Sequence, residues 1–279
     1  MPQPVDHFVG WLARQWLVHA PTRRGRSFIL ATVFPRLAPE AADFNVRLPG
    51  GGLLRARLTE STGWDLLHDR DVERAELTWA ITHVGEGDTV IDAGANVGLY
   101  SIVLARAVGP TGRVVAFEPV PETVERLRAS VQVNGLANVQ IEAAAVGDTD
   151  ARVQFNLAHD SAYSGLAEDP RSPTVSRHVV SMVTIDSVWS SIGEPHVTFV
   201  KLDVEGAETK ALVGATMLIE RCRPLIMAEA AAEDRLEELC GWLSQRGYEQ
   251  RTPPGFRPYN HLFGPVSSAH EQSSQPVTS

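Results

Sequence analysis

Residues 88–101 read DTVIDAGANVGLYS. Thr89, Val90 and Ile91 are a short apolar, β-branched run, the mark of a buried strand. Asp92 closes that strand, Gly94-Ala95-Asn96-Val97-Gly98 turns the chain, and residues 99–108 read as a helix. Strand, glycine turn and helix start together make a backbone cradle. Glycine lets the main chain approach a ligand closely, and the first free N–H groups of the helix face it. A nicotinamide dinucleotide wants G-x-G-x-x-G, whose middle glycine lets the backbone approach the pyrophosphate. Asn96 stands at that position here, so the pattern is D-x-G-x-x-x-G. A tight strand-to-helix turn without any ligand would read the same on this stretch alone.

Downstream of the cradle, residues 114–117 (VVAF) form a second buried strand that ends at Glu118-Pro119. An acid at the tip of the second strand accepts hydrogen bonds from ribose hydroxyls in Rossmann-type sites, and a carboxylate offers two acceptors for two adjacent hydroxyls. Residues 122–134 read as a helix, NGLANV turns the chain, and 139–145 read as a third strand. Asp148, after that strand, either flanks an adenine ring and accepts from its amine or is the hydrogen-bonding residue of a plain turn. A strand over 153–157 precedes a polar, Pro- and Gly-containing stretch at 158–177, the composition of a lid or binding loop, in which His159, Asp160, Tyr163 and Ser164 are candidate substrate contacts. Residues 179–185 resume a strand and 186–192 a short helix.

The second informative stretch is VTFVKLDVEGAE at 197–208. Residues 197–202 suit a central strand except for Lys201, and Asp203, Glu205 and Glu208 follow its end. Ligands of open parallel α/β sheets bind outside the carboxyl ends of the strands. Lys201, Asp203 and Glu205 therefore belong near the cradle. A lysine buried in a strand is costly unless paired, so the cluster is either a structural ion pair or a catalytic or metal-binding group. Residues 223–229, RPLIMAE, form a fifth strand with Glu229 at its tip, beside Asp203 if the two strands are neighbours. Residues 236–243 form a helix, Gly247-Tyr248 starts a last strand region, and 259–263 return as an edge strand.

Upstream, Phe8, Trp11, Leu12, Trp16 and Leu17 recur at helical spacing and suit a surface helix that packs on the body or on a second subunit. Arg23, Arg24 and Arg26 read as a solvated basic face. Alternation at 44–48 and 54–58 around Pro49-Gly50-Gly51-Gly52 makes a hairpin. Residues 74–84 look helical, and Glu73 at their start reads as an acid favoured by the helix dipole rather than as a polar group of a cleft. The expected division is an appendage at 1–72, a ligand-binding domain at 73–264 and a disordered tail at 265–279. The chain has 279 residues, 43% hydrophobic, with a net charge of -9. That charge argues against a general nucleic-acid binder. No apolar run reaches membrane-spanning length, and the start lacks a signal-peptide pattern. Cys222 and Cys240 form no C-x-x-C pair, so a cytoplasmic setting is expected.

Taken together, the sequence resembles the FkbM family of S-adenosylmethionine-dependent methyltransferases. The matching stretches are VIDAGANVGLYS at 90–101, AFEP at 116–119, NGLANV at 134–139, AVGD at 145–148, VTIDS at 183–187, VKLDVEGAETKALVGA at 200–215 and RPLIMAE at 223–229. The resemblance implies a class I, Rossmann-like α/β fold: a mostly parallel central sheet with helices on both faces, here with an N-terminal helix and hairpin appended. It implies that the loop carrying Gly94, Asn96 and Gly98 packs on the methionine part and ribose of S-adenosylmethionine, with Asp92 holding the amino-acid end and Glu118-Pro119 and Asp148 completing the cofactor site. It also implies methyl transfer to a hydroxyl of a small molecule such as a sugar or other natural product. Transfer to nitrogen or carbon, and more remotely a nicotinamide-dependent oxidation, are the alternatives. A hydroxyl is a weak nucleophile at neutral pH, so a base or a metal must help. Asp203 is the first choice of base, with Lys201 and Glu205 tuning or orienting it. Otherwise Asp203 and Glu229 serve as oxygen ligands of Mg²⁺. The expected partner is a small-molecule acceptor, with no nucleic acid and no membrane, and a homodimer fits the surface helix.

Overall fold

The computed structural model describes residues 44–48, 51–57, 60–68, 72–158, 164–166 and 172–266. The chain runs through β1 (Phe44–Arg47), β2 (Leu53–Ala56), α1 (Ser61–His68), α2 (Arg74–His83), β3 (Thr89–Ala93), α3 (Leu99–Ala107), β4 (Arg113–Phe117), α4 (Pro121–Val133), β5 (Val139–Glu142) and β6 (Ala145–Val146). It continues through β7 (Ala151–Ala158), β8 (Thr174–Val183), α5 (Ile185–Ser191), β9 (Val197–Leu202), α6 (Glu208–Val213), α7 (Thr216–Cys222), β10 (Leu225–Glu229), α8 (Glu233–Ser244), β11 (Tyr248–Gln250) and β12 (Asn260–Pro265).

Seven strands form the central sheet in the order β11-β12-β10-β9-β3-β4-β5. From β10 to β5 all pairings are parallel, and β12 runs antiparallel to both its neighbours. Successive side chains of a strand point to opposite faces, and the sheet uses both. Val90, Val114, Ala116, Phe199 and Met227 pack with α2, α3 and Leu127 of α4 on one face. Ile91, Val115, Val200 and Ile226 pack with α5 to α8 on the other. This is the mostly parallel sheet with helices on both faces that the family resemblance implies.

The hairpin β1–β2 joins the first of these faces, where Val46, Leu54 and Ala56 are buried. Its backbone edge is closed by side chains of the helix α4 and the residue after it. The Asn134 amide donates to Leu53 O at 2.6 Å and accepts from Leu53 N at 2.8 Å, and Ser130 Oγ accepts from Arg55 N at 2.9 Å. A strand edge left open would be a pairing hazard, and here two polar side chains occupy it. Glu60 and Arg126 form a buried ion pair beside it. Leu54 is fully buried, so Leu54→Ala is expected to lower unfolding free energy by about 2–5 kcal/mol, read from urea denaturation midpoints. A loss under about 1 kcal/mol would mean that the hairpin is not part of the core.

Four elements differ from the sequence reading, the first being β8, which begins at Thr174 inside the stretch expected as a loop. The expected strand 139–145 is two strands: β5 pairs with β4, while β6 leaves the sheet and pairs with β8. Together β6, β8 and β7 form a separate three-stranded sheet. The expected edge strand 259–263 is interior, because β12 lies between β10 and β11 and the short β11 takes the edge. Helix α1 had no counterpart in the sequence reading. The expectations for the helix over 6–19, for Arg23, Arg24 and Arg26, for His159, Asp160 and Tyr163, and for the tail beyond 266 fall outside the described residues. Among the described residues no helix is long and apolar enough to cross a membrane.

Candidate active site

β3 and β9 are parallel neighbours with Asp92 opposite Lys201, and Lys201 is opposite Met227 of β10. Alternation therefore brings Asp92, Lys201, Asp203 and Glu229 to one face at the carboxyl end of the sheet. The loops after β3 and β9 touch there. Asp203 N donates to Ala93 O at 3.0 Å, and a methyl group added to Gly94 would lie 1.7 Å from the carbonyl oxygen of Asp203. Gly94 has φ 81°, so the position demands glycine on conformation as well as on space.

A cavity of about 280 Å³ opens above this junction. Asp92, Gly94, Asn96, Glu118, Pro119, Lys201, Asp203, Glu205 and Glu229 all line it, as does Ser164. Gly98 and Asp148 do not. Gly98 starts α3 with φ 103° and faces Leu127. Asp148 is exposed on the loop after β6, and Ala144, Ala145 and Val146 form that wall instead. The wall also takes Phe155 from β7. The side opposite holds residues the sequence did not mark: Ser61, Thr62 and Asp65 of α1, Tyr100, Arg257 and Tyr259. Tyr100 lies inside the glycine-loop motif, but nothing local sets α1 or the proline-rich stretch before Arg257 against the site. Glu76 of α2 holds the latter by accepting from Arg257 N and from the Asn260 amide.

Lys201 is the electrostatic centre. It is 4% exposed, and its Nζ lies 2.7 Å from Asp203 Oδ2 and 4.6 Å above the centre of the Tyr100 ring. Burial disfavours its charge, but Asp203, Asp92 and Glu73 together hold it firmly protonated. Asp92 is wholly buried. Its Oδ2 accepts from Ser101 Oγ, while its Oδ1 has no partner. Burial pushes the Asp92 carboxyl up and Lys201 pulls it back. The carboxylate oxygens of Asp203, Glu205 and Glu229 lie within 4.8 Å of one another. Burial and the Asp203 and Glu205 charges drive Glu229 well above the carboxylate range, and it shares a hydrogen bond with Asp203. Glu208, last acid of the K-x-D-x-E-G-x-E stretch, has a different task. Its Oε1 accepts from Val204 N and Gly206 N at 3.2 and 3.0 Å and so braces the turn that carries Glu205.

Glu118 is 6% exposed. Its Oε2 accepts from Asn96 N at 3.0 Å and its Oε1 from Val120 N at 2.9 Å. Each carboxylate oxygen can accept a second bond, so ribose hydroxyls can still be received. Asn96 itself has φ 48°. It keeps the left-handed backbone a glycine would give, and asparagine tolerates that better than most residues. Burial pushes Glu118 up to about 7. A hydroxyl donor binds the ionised carboxylate best, so affinity for S-adenosylhomocysteine is expected to rise as pH passes about 7. Glu118→Ala is expected to weaken it by roughly 1–3 kcal/mol, and Glu118→Gln to remove the pH dependence. Calorimetry one unit either side of that pH reads both, and unchanged affinity would take Glu118 out of the site.

Comparison with known proteins places these features together. The family model described as the methyltransferase FkbM domain matches residues 92–249. The chain is 32% identical over 93 residues to protein-L-isoaspartate O-methyltransferase 2 of Archaeoglobus fulgidus, covering 33% of this chain and 41% of that protein. It is 26% identical over 144 residues to methyltransferase 1 of Beauveria bassiana, covering 45% of this chain and 57% of that protein. It thus spans about half the length of these curated relatives. Among solved structures, the FkbM methyltransferase of Methylobacillus flagellatus aligns with a TM-score of 0.47 and 21% identity, over 65% of this chain and 44% of that one.

Proposed function

This chain belongs to the FkbM methyltransferase family, and from that premise we propose that it transfers the methyl group of S-adenosylmethionine to a hydroxyl of a small molecule, such as a sugar or another natural product. The observation that supports the reading is the junction of Gly94 with Asp203. It puts a glycine cradle and a lysine-held carboxylate on one cavity.

The residues fit the cofactor. The unpartnered, buried Oδ1 of Asp92 suits its amino-acid end, the cradle at Gly94 admits a close approach, and Glu118 suits its ribose. When bound, the cofactor supplies a methyl carbon made electrophilic by its sulfonium. The protein's part is to aim an acceptor oxygen at that carbon and to take its proton. Asp203 is suited to aim it: the 2.7 Å bond from Lys201 fixes one oxygen, and the acceptor hydroxyl can donate to the carboxylate. Glu205, at φ 49°, faces the same space. We take the acceptor to be a small molecule rather than a nucleic acid because a chain of net charge -9 repels phosphate, and we place the reaction in the cytoplasm, where the free thiols of Cys222 and Cys240 stay reduced.

A second reading adds Mg²⁺ on Asp203, Glu205 and Glu229, favoured by the closeness of their oxygens and by the hard, all-oxygen donor set that Mg²⁺ prefers. A screen of hydroxylated and amino acceptors with labelled methyl donor, with and without chelator, tests both. We expect a methyl ether as product, and a roughly 10²-fold loss of turnover in Asp203→Asn, the scale for misplacing a reacting group. A chelator-sensitive rate supports the metal. A methylated amine or carbon would replace the hydroxyl reading. Failure of S-adenosylhomocysteine to bind, with stabilisation by NAD instead, would overturn methyl transfer.

A further inference from the structure

Among the described non-glycine residues, five have backbone in the left-handed region, and three of them, Glu73, Asn96 and Glu205, line the one cavity. Such residues cost of order 1–3 kcal/mol each and persist where the surroundings enforce them, often at functional sites. Asn96 and Glu205 belong to the two motif loops. Glu73 belongs to neither.

Glu73 stands at the N-cap of α2 with φ 46° and ψ 35°. An acid there ordinarily turns back to accept from the first helical N–H groups. Glu73 makes no such bond. Glu73 lines the cavity, and its Oε2 is buried without a partner. The sequence expectation of a helix-dipole acid therefore describes its position and misses its direction. A buried carboxylate oxygen without a partner, as Oε2 is, is costly to keep.

Six titratable groups face Glu73: Glu76 from its own helix, Tyr100 from α3, Lys201 from β9 and Asp203 just after it, and Arg257 and Tyr259 from the segment before β12. The Tyr100 hydroxyl donates to Met227 Sδ at 3.7 Å and acts on the Glu73 carboxylate beside it. Lys201 is already bonded to Asp203 at 2.7 Å, and Arg257 to the Tyr259 hydroxyl at 2.8 Å. The two neighbouring cations thus have other first partners. Burial raises the proton affinity of Glu73, with Lys201 the main opposing influence. The bond from Lys201 makes Asp203 the poorer proton acceptor of the two.

From this geometry we infer that Glu73 is the general base of the methyl transfer, with Asp203 orienting the acceptor. The inference rests on the proposed function above. The acceptor oxygen forms a bond to the methyl carbon as the carbon–sulfur bond breaks, and that bond's electron pair stays on sulfur. The acceptor's proton passes to the Glu73 carboxylate and then to water. The products are a methyl ether and S-adenosylhomocysteine.

The test uses the full chain and the acceptor returned by the labelled-methyl screen. Glu73→Gln is expected to lower turnover roughly 10²–10⁴-fold, to keep S-adenosylhomocysteine affinity within about threefold, and to abolish the rise of kcat with pH that a base must show. Glu73→Asp is expected to restore part of the rate and the pH-dependent limb. Infrared titration of wild type against Glu73→Gln, with S-adenosylhomocysteine bound, is expected to reveal a carboxyl that protonates above the ordinary glutamate range and is missing from the variant. Turnover in Glu73→Gln above a third of wild type with its pH limb intact overturns the role, as does a Glu73 that titrates in the ordinary range. Wild type that fails to bind S-adenosylhomocysteine overturns the function itself, so the two failures are distinct.

Discussion

Lys201→Met is expected to lose about 3–5 kcal/mol of folding stability at neutral pH, the scale for removing one partner of a buried ion pair. The cation is bonded to Asp203 at 2.7 Å, and Asp92 beside it is wholly buried. Methionine keeps most of the volume and removes the charge, leaving Asp92, Asp203 and Glu73 to repel one another in a medium that penalises each. The pH dependence follows from the sign of the shifts. Burial already raises Asp92 and Glu73 above their ordinary values with Lys201 present. Without it they rise further. An acid whose folded pKa exceeds its unfolded one destabilises the fold as pH climbs through the folded value, and the penalty vanishes below the unfolded value. The variant should therefore recover stability toward about pH 4, relative to wild type, in paired urea titrations. A deficit that is the same at both pH values would mean that lost packing, not lost charge, is the cause.

Gly94→Ala is expected to weaken S-adenosylhomocysteine by roughly 10- to 100-fold, the scale of the 1–3 kcal/mol that overpacking costs. The added methyl would meet the carbonyl oxygen of Asp203 at 1.7 Å and its carbon at 2.7 Å. Both are backbone atoms and cannot swing aside as a flexible side chain would. The loops after β3 and β9 must part, taking the Asp203 carboxylate with them. Gly135→Ala is the control. Gly135 has φ 63° and nothing within 4 Å of the added methyl, so it should lose only the roughly 1–2 kcal/mol of left-handed strain and leave binding intact. Calorimetry on both variants separates conformational strain from collision. Equal binding by Gly94→Ala and wild type would show that the two loops do not share the ligand.

The strands that hold the site were legible because each is short, apolar and followed by a turn. Val90 and Ile91, Val114 to Phe117, and Val197 to Leu202 all fall where the pattern put them. The acids at their tips were legible too, since in a parallel sheet the strand ends gather on one edge. The lysine at 201 stood out because a charge inside an apolar run requires a partner, and Asp203 is that partner. Other features left no local trace. The run at 139–145 is uniformly suited to a strand, and only the competing partners β4 and β8 divide it. The last strand looked like an edge because it follows a proline-rich stretch, but hydrogen bonding to both β10 and β11 makes it interior.

The sequence by itself determined the strand–turn–helix cradle, the acid at the tip of β4 and the lysine–carboxylate pair at the end of β9, because each depends on residues within a few positions of one another. Only the tertiary structure decided that Glu73 lines the cavity, that α1 and Arg257 close the far side, and that Asp148 stands apart. Those outcomes depend on contacts between segments up to 184 residues apart, such as Asn260 with Glu76, and the spacing of side chains along a chain carries no record of what lies across the sheet.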